Sequence, residues 1–353
     1  LEALHLLANA EKAMILVGTS VKWSNAQTEL GRFLDKTDLP AFANGMGRGM
    51  IPRDSRHLFQ RTRRRAMEEC DVLILAGSIL DFRLAFGTTI PKKTKIIQLE
   101  MDHTLVGHNR PSDIALVGNL SCTFDLLCQL MDEKGIQINL AAYAESLRAE
   151  ETPVRKQPRE SAGEHQGRIP AQVLCREIAG FVNDNMIVIG DGGDIVAQAA
   201  KVVPVPKNGF WMDPGPLGTL GVGMPFAIAA QAAHPDKRVL IIYGDGSFGL
   251  NGFEYDTAIR FGFPIVGIVG NDAAWGQMMR PQRAFYGDER MAATHLTYTR
   301  YDKVVEALGG YGEHVTRPDE IRPALERAFA SGKASCINVE IERDLDFKGG
   351  IYM

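Results

Sequence analysis

RVLIIYGDGSFGLNGFEYDTAIRFGFPIVGIVGNDA, residues 238–273, is the stretch from which the architecture can be read. Arg238 to Tyr243 and Pro264 to Val269 are short apolar runs of buried-strand type, and Phe253 to Phe261 between them reads as a helix. In a right-handed β-α-β unit both strand ends open on the same edge of the sheet. Gly244-Asp245-Gly246-Ser247 follows the first strand and Asn271-Asp272-Ala273 the second. Asp245 and Asn271 can therefore converge on one hard cation, and the glycines leave bare backbone beside them.

That pairing suits Mg²⁺ held on a diphosphate. Mg²⁺ takes oxygen ligands in an octahedron, commonly one or two protein carboxylates plus phosphate oxygens. Asp245 supplies charge, Asn271 a neutral oxygen, and the backbone carbonyl of Ala273 a third ligand. A helix beginning near Phe248 aims unpaired N–H groups at the phosphates. Asp-Gly is also a common turn, so the weight lies on the Asn at this spacing and on the strand preceding each loop. Gly190-Asp191-Gly192-Gly193-Asp194 repeats the arrangement after another apolar run, Met186 to Gly190. Such a loop brings backbone N–H groups close to a phosphate, or is simply a tight turn into a helix.

At GDGSFGLNGFEYDTAIRFGFPIVGIVGND the chain resembles the thiamine diphosphate (ThDP) enzymes, whose cofactor motif runs from Gly-Asp-Gly to an Asn pair. Gly270 stands where the first Asn of that pair is usual, while Asn271 holds the metal-ligating position. A second block, DPGPLGTLGVGMPFAIA at residues 213–229, resembles the segment that holds the aminopyrimidine ring. The resemblance is closest to the acetolactate synthase, benzaldehyde lyase and 2-hydroxyacyl-CoA lyase branch. It implies that Gly192, Gly193 and Asp194 touch the far end of the diphosphate. It also implies that the Gly218 carbonyl and the Leu220 backbone bond the aminopyrimidine, with the Leu220 side chain wedging the cofactor into its bent shape. Trp275, Gln277 and Met278 fall on a helix bordering the reaction centre in that family. They are candidate substrate contacts, or, for the Trp, packing. Glu254 falls inside the helix after Gly-Asp-Gly, facing the core or a dimer partner, and reads as structural.

The rest of the chain fits two such domains. From 1 to 150, the runs at Ala13 to Gly18, Leu39 to Ala43, Asp71 to Gly77, Lys95 to Glu100 and Ile114 to Val117 alternate with helical patterns at Ser24 to Lys36, Leu58 to Glu69 and Leu120 to Met131. Apolar strands flanked by helices imply an α/β fold with a parallel sheet covered on both faces. Residues 151–168, polar and broken by Pro153, Pro158 and Gly163, read as a linker, and 169–353 as a second doubly wound, Rossmann-like domain that holds ThDP and Mg²⁺. In the first domain Arg61, Arg63, Arg64 and Arg65 either meet nucleotide phosphates (FAD, ADP or CoA) or form a solvated helix face. Gly45-x-Gly47-x-Gly49 lacks the order of a dinucleotide fingerprint, and neither domain offers both marks of an NAD site. His103, His108 and His165 form no ligand set by spacing.

A formal charge of −4 gives no case for nucleic acid or an anionic membrane surface. Five scattered cysteines without C-x-x-C spacing point to free thiols in a reduced, cytoplasmic setting. The family's chemistry also needs a Glu against the pyrimidine, carried by a pyrimidine-binding domain that no segment here resembles. We therefore expect the chain alone to be catalytically inert. Missing sequence or another polypeptide would supply that domain, in a homodimer or homotetramer. The resemblance implies a C–C lyase or carboligase. Its substrate is a 2-hydroxyacyl-CoA by the likeness of Phe248 to Glu254, or a 2-oxo acid as in acetolactate synthase. A nucleotide-binding or regulatory protein without catalysis is the reading from another class.

Overall fold

The computed structural model describes residues 1–151, 167–206 and 209–344. The linker expected at 151–168, with His165, lies almost wholly outside the described residues. The described residues form two compact units, one built mainly from 1–151 and the other from 167–206 and 210–344.

The first unit is a six-stranded sheet of β1 (Ala13–Val17), β2 (Ala41–Ala43), β3 (Leu58–Phe59), β4 (Val72–Ala76), β5 (Lys95–Glu100) and β6 (Ile114–Val117). Its order is β3-β2-β1-β4-β5-β6 and every pairing is parallel. Side chains of β1 alternate between two cores, as the pleat requires. Ile15 and Val17 meet Leu30, Phe33 and Phe124, while Met14 and Leu16 meet Ala66, Met67 and Tyr143. Both faces are thus covered, which is why β1 and β4 are apolar at every position.

The second unit repeats this plan with β7 (Met186–Asp191), β8 (Trp211–Met212), β9 (Arg238–Gly244), β10 (Val266–Asn271), β11 (Tyr311–Val315) and β12 (Ser335–Glu340). Its order is β11-β12-β10-β9-β7-β8, again all parallel. The chain leaves β7 toward β8 and returns to β9 on the other side. A crevice therefore opens at the carboxyl ends of β7 and β9, the usual ligand position in such sheets.

Several elements depart from the sequence reading. The helix expected from near Phe248 starts at Asp245, with Gly244 as its N-cap. The helix expected over Phe253 to Phe261 is a 3₁₀ turn, Gly252–Glu254, followed by a helix, Tyr255–Arg260. Gly252 lies under the Phe248 ring, where an added Cβ would sit 2.5 Å from Cε1. The pattern at Leu58 to Glu69 divides into β3 and a helix, Arg63–Glu69, so Arg61 precedes the helix. That at Ser24 to Lys36 forms only from Gln27, as Gln27–Thr37, and a separate short helix, Thr19–Trp23, precedes it. Among the described residues no helix is long and apolar enough to cross a membrane.

Candidate functional site

An open cleft lies at the ends of β7, β9 and β10. Of the residues singled out from sequence, Gly193, Asp194, Leu220, Gly244, Asp245, Gly246, Ser247, Trp275, Gln277 and Met278 line it. Its floor is glycine for steric reasons. Gly192 has φ +62°, and a Cβ there would lie 2.0 Å from Leu220 Cδ2 and 2.5 Å from Ser247 Oγ. A Cβ on Gly246 would lie 2.7 Å from two ring carbons of Trp275, so the indole rests directly on the Gly246 backbone. Ser247 Oγ is buried and has no hydrogen-bond partner among the described residues, a donor suited to a phosphate oxygen.

Asp245 is 2% exposed and accepts from the N–H of Gly246 (2.8 Å) and of Ala274 (3.2 Å). Burial outweighs those bonds and pushes its carboxyl up to about 6. Asn271 is wholly buried, and its Oδ1 accepts from the Ala273 N–H at 3.2 Å. The two expected ligand oxygens are thus tied to consecutive amides of one loop. Among the described residues no group of three or more His, Cys, Asp or Glu side chains is arranged to hold a metal. One carboxylate and one amide suit a cation that completes its shell with phosphate and water.

Ala273 is the third expected ligand, through its carbonyl. Its φ is +54°, and its carbonyl already accepts from Leu296 N–H (2.9 Å) and from the Arg343 guanidinium (2.6 Å). Both lone pairs are occupied, by groups that local sequence does not reveal; Arg343 lies 70 residues further on. Gly218, at φ +62°, caps a 3₁₀ turn and does not line the cleft. Glu254 is exposed and accepts from Thr257 Oγ1, so it does not face the core of this chain.

Three residues given no role of their own by the sequence reading shape the site. Asp191 is wholly buried at the end of β7 and accepts from the N–H of Gly221 (2.9 Å) and Gly223 (2.7 Å), fixing the loop that carries Gly218 and Leu220. Arg280 makes a bidentate ion pair with Asp194, which offsets that acid's charge at the cleft. Asp272 is pushed up to about 7 by burial and by the nearby Asp245 and Asp194 charges, with Arg343 opposing. The signal for Asp191 was present in Gly-Asp-Gly-Gly, but its partners stand some 30 residues on.

In the first unit the four arginines part company. Arg61 is exposed, Arg64 pairs with Glu68 (2.7 Å), and Arg65 pairs with Glu69 (3.0 Å) and Glu150 (2.7 Å). Arg63 makes no ion pair among the described residues. Burial and the neighbouring Arg48 and Arg83 push its guanidinium down to about 10. Among the described residues Asn44 Nδ2 is buried nearby in sequence without a partner. His103 and His108 are exposed and assemble no site.

The model for the thiamine pyrophosphate enzyme central domain matches residues 1–127, and that for the C-terminal TPP binding domain matches residues 191–339. The chain is 37% identical over 341 residues to a protein named probable acetolactate synthase from Mycobacterium bovis, covering 96% of this chain and 60% of that protein. It is 32% identical over 369 residues to 2-hydroxyacyl-CoA lyase 2 of Caenorhabditis elegans (99% and 56%) and 30% identical over 364 residues to the human protein of that name (98% and 56%). The chain thus spans 56–60% of the length of these relatives. Two matched domains and a glycine-floored cleft between strand ends agree: the chain belongs to the thiamine pyrophosphate enzyme family.

Proposed function

We propose that this chain is the diphosphate- and Mg²⁺-holding part of a ThDP-dependent C–C lyase or carboligase of the 2-hydroxyacyl-CoA lyase kind. The observation that carries the reading is the cleft in which Asp245, the partnerless Ser247 hydroxyl and the Gly193–Gly244 backbone meet. When bound, ThDP supplies an electron sink for cleaving or forming the bond beside a carbonyl. The chain's own residues hold its phosphates, ligate the cation through Asp245 and Asn271, and wall the substrate side with Trp275 and Gln277. An acetolactate synthase-like reaction on 2-oxo acids is the second reading, favoured by the relative at 37% identity. Acyl-CoA and pyruvate substrates, offered to the chain assembled with a pyrimidine-binding domain, separate the two.

Charge supports the requirement for a cation. Asp245, Asp272 and Glu342 line the cleft, beside an Asp194 whose charge Arg280 pairs. A bare diphosphate meets repulsion there, and the metal complex does not. Calorimetric titration is expected to give ThDP binding only with Mg²⁺ present. Asp245 ligates only when ionised, so with its value at about 6 affinity falls about tenfold for each pH unit below that. Equal binding without a divalent cation, or a flat profile from pH 7 to 5, would overturn the reading.

The exposed apolar side chains Leu217 (88%) and Phe253 (77%), with Leu250, support a covering partner such as the pyrimidine-binding domain in a dimer or tetramer. For the first unit, Arg63 beside Arg48 and Arg83 supports an anionic nucleotide moiety (FAD, ADP or CoA). Arg63→Met is expected to weaken ADP or CoA binding about tenfold or more, the worth of one charge-assisted hydrogen bond. The same change leaves unfolding of the free chain unchanged or raised, because like charges are relieved. Unaltered nucleotide affinity in calorimetry would remove the proposal.

A further inference from the structure

Asn271 can serve a cation only through Oδ1, yet an amide side chain turned by 180° would offer its NH₂ instead. The surroundings decide between these orientations. The carbonyl of Thr299 accepts from Asn271 Nδ2 at 3.0 Å and from Asn338 Nδ2 at 2.9 Å. A carbonyl has no proton to give, so both amides must present their NH₂ groups to it. Asn338 Oδ1 is then left facing Asn271 and accepts its second N–H at 3.2 Å. Behind Asn338 stands Asp302, 1% exposed, which accepts from Asn338 Nδ2 at 3.3 Å and is itself held by Arg300. Asn338 pairs in register with Val269 on β10, so its side chain shares a sheet face with that of Asn271, two residues on. Asn338 is wholly buried, and a buried Asn on a central strand is otherwise a poor choice for packing.

We propose that Asn338 is a positioning residue: with the Thr299 carbonyl it consumes both N–H groups of Asn271, so that Asn271 turns its oxygen, and never its NH₂, toward the cation. This rests on the cation reading above and deepens it, since it assigns the orientation of the neutral ligand to a residue 67 positions away. Outer partners of metal ligands act in this way in general.

The test uses the 353-residue chain with ThDP and Mn²⁺ as the probe, read by calorimetry beside thermal unfolding without ligands. Asn338→Leu removes the acceptor and is expected to weaken Mn²⁺ binding about tenfold or more. Asn338→Asp keeps an acceptor for Asn271 but loses the donor to Thr299 and places a carboxylate beside Asp302. It should unfold at a lower temperature than wild type while retaining Mn²⁺ affinity. A merely structural Asn338 would make affinity follow stability across the series. Equal Mn²⁺ affinity in wild type and Asn338→Leu overturns the inference and leaves the cation site standing. Wild type that binds no Mn²⁺ with ThDP overturns both. Should Asn338→Leu fail to fold, Asn338→Ser provides the same comparison against Asn338→Asp.

Discussion

Asp245→Asn is expected to abolish Mg²⁺-dependent ThDP binding and, at the same time, to make the free chain more stable. The two effects have one origin. Asp245 is 2% exposed and has no cationic partner among the described residues; burial lifts its carboxyl from the ordinary 3.8 to about 6. Because the folded value lies above the unfolded one, the folded state loses stability as pH rises from about 4 to about 6, and above that the loss is complete. A shift of that size corresponds to roughly 3 kcal/mol. Asparagine removes that cost but places an NH₂ against the N–H of Gly246 or Ala274, losing about 1 kcal/mol. A net gain of roughly 1–2 kcal/mol in the free chain is expected above pH 6, shrinking to nothing or below toward pH 4. Cation affinity moves the other way. Even outer partners of metal ligands are worth about 10–100-fold, so loss of the charged ligand should exceed 100-fold. Thermal unfolding across pH and calorimetry with Mg²⁺ and ThDP measure the two together. A variant that is destabilised above pH 6, or that keeps its affinity, would show that Asp245 is a structural acid.

Asp191→Asn should be severe despite near-identical shape. Both oxygens of Asp191 are engaged, with Gly221 N–H and Gly223 N–H, in a place without solvent. An amide offers one oxygen, so its NH₂ must oppose one of those donors. A buried donor without a partner costs about 1–3 kcal/mol, and the opposed pair lies at the upper end. Relief from burying a charge offsets part of this, since burial raises the Asp191 carboxyl while the backbone N–H bonds lower it. A net loss of about 2 kcal/mol is expected, lowering the unfolding temperature of the second unit by roughly 4–8 °C. The loop bearing Gly218 and Leu220 should exchange its amide protons faster as well. Unfolding at the wild-type temperature with unchanged exchange would refute this role.

The parts of the site that could be read from sequence are those whose position follows from neighbours in the chain. Asp245 and Asn271 close a strand each, and a strand-helix-strand unit brings such ends together whatever else surrounds them. Leu220 could be read from its glycine-rich block. What escaped depends on partners far along the chain: Arg343 on the Ala273 carbonyl, Asn338 beside Asn271, and Arg280 on Asp194. The sheets show the same division. Their buried central strands announce themselves as unbroken apolar runs, whereas β3 and β8 have two residues each and β11 is mostly half-exposed. A short or half-wet edge strand has no apolar run to detect, because neighbours rather than composition define it.

The indole resting on Gly246 joins two duties in one wall. The backbone under Trp275 belongs to the Gly-Asp-Gly-Ser loop, and the indole above it lines the same cleft. Floor and wall are therefore not independently adjustable: trimming the ring would uncover the glycine beneath it, and any methyl added to that glycine would narrow the room above.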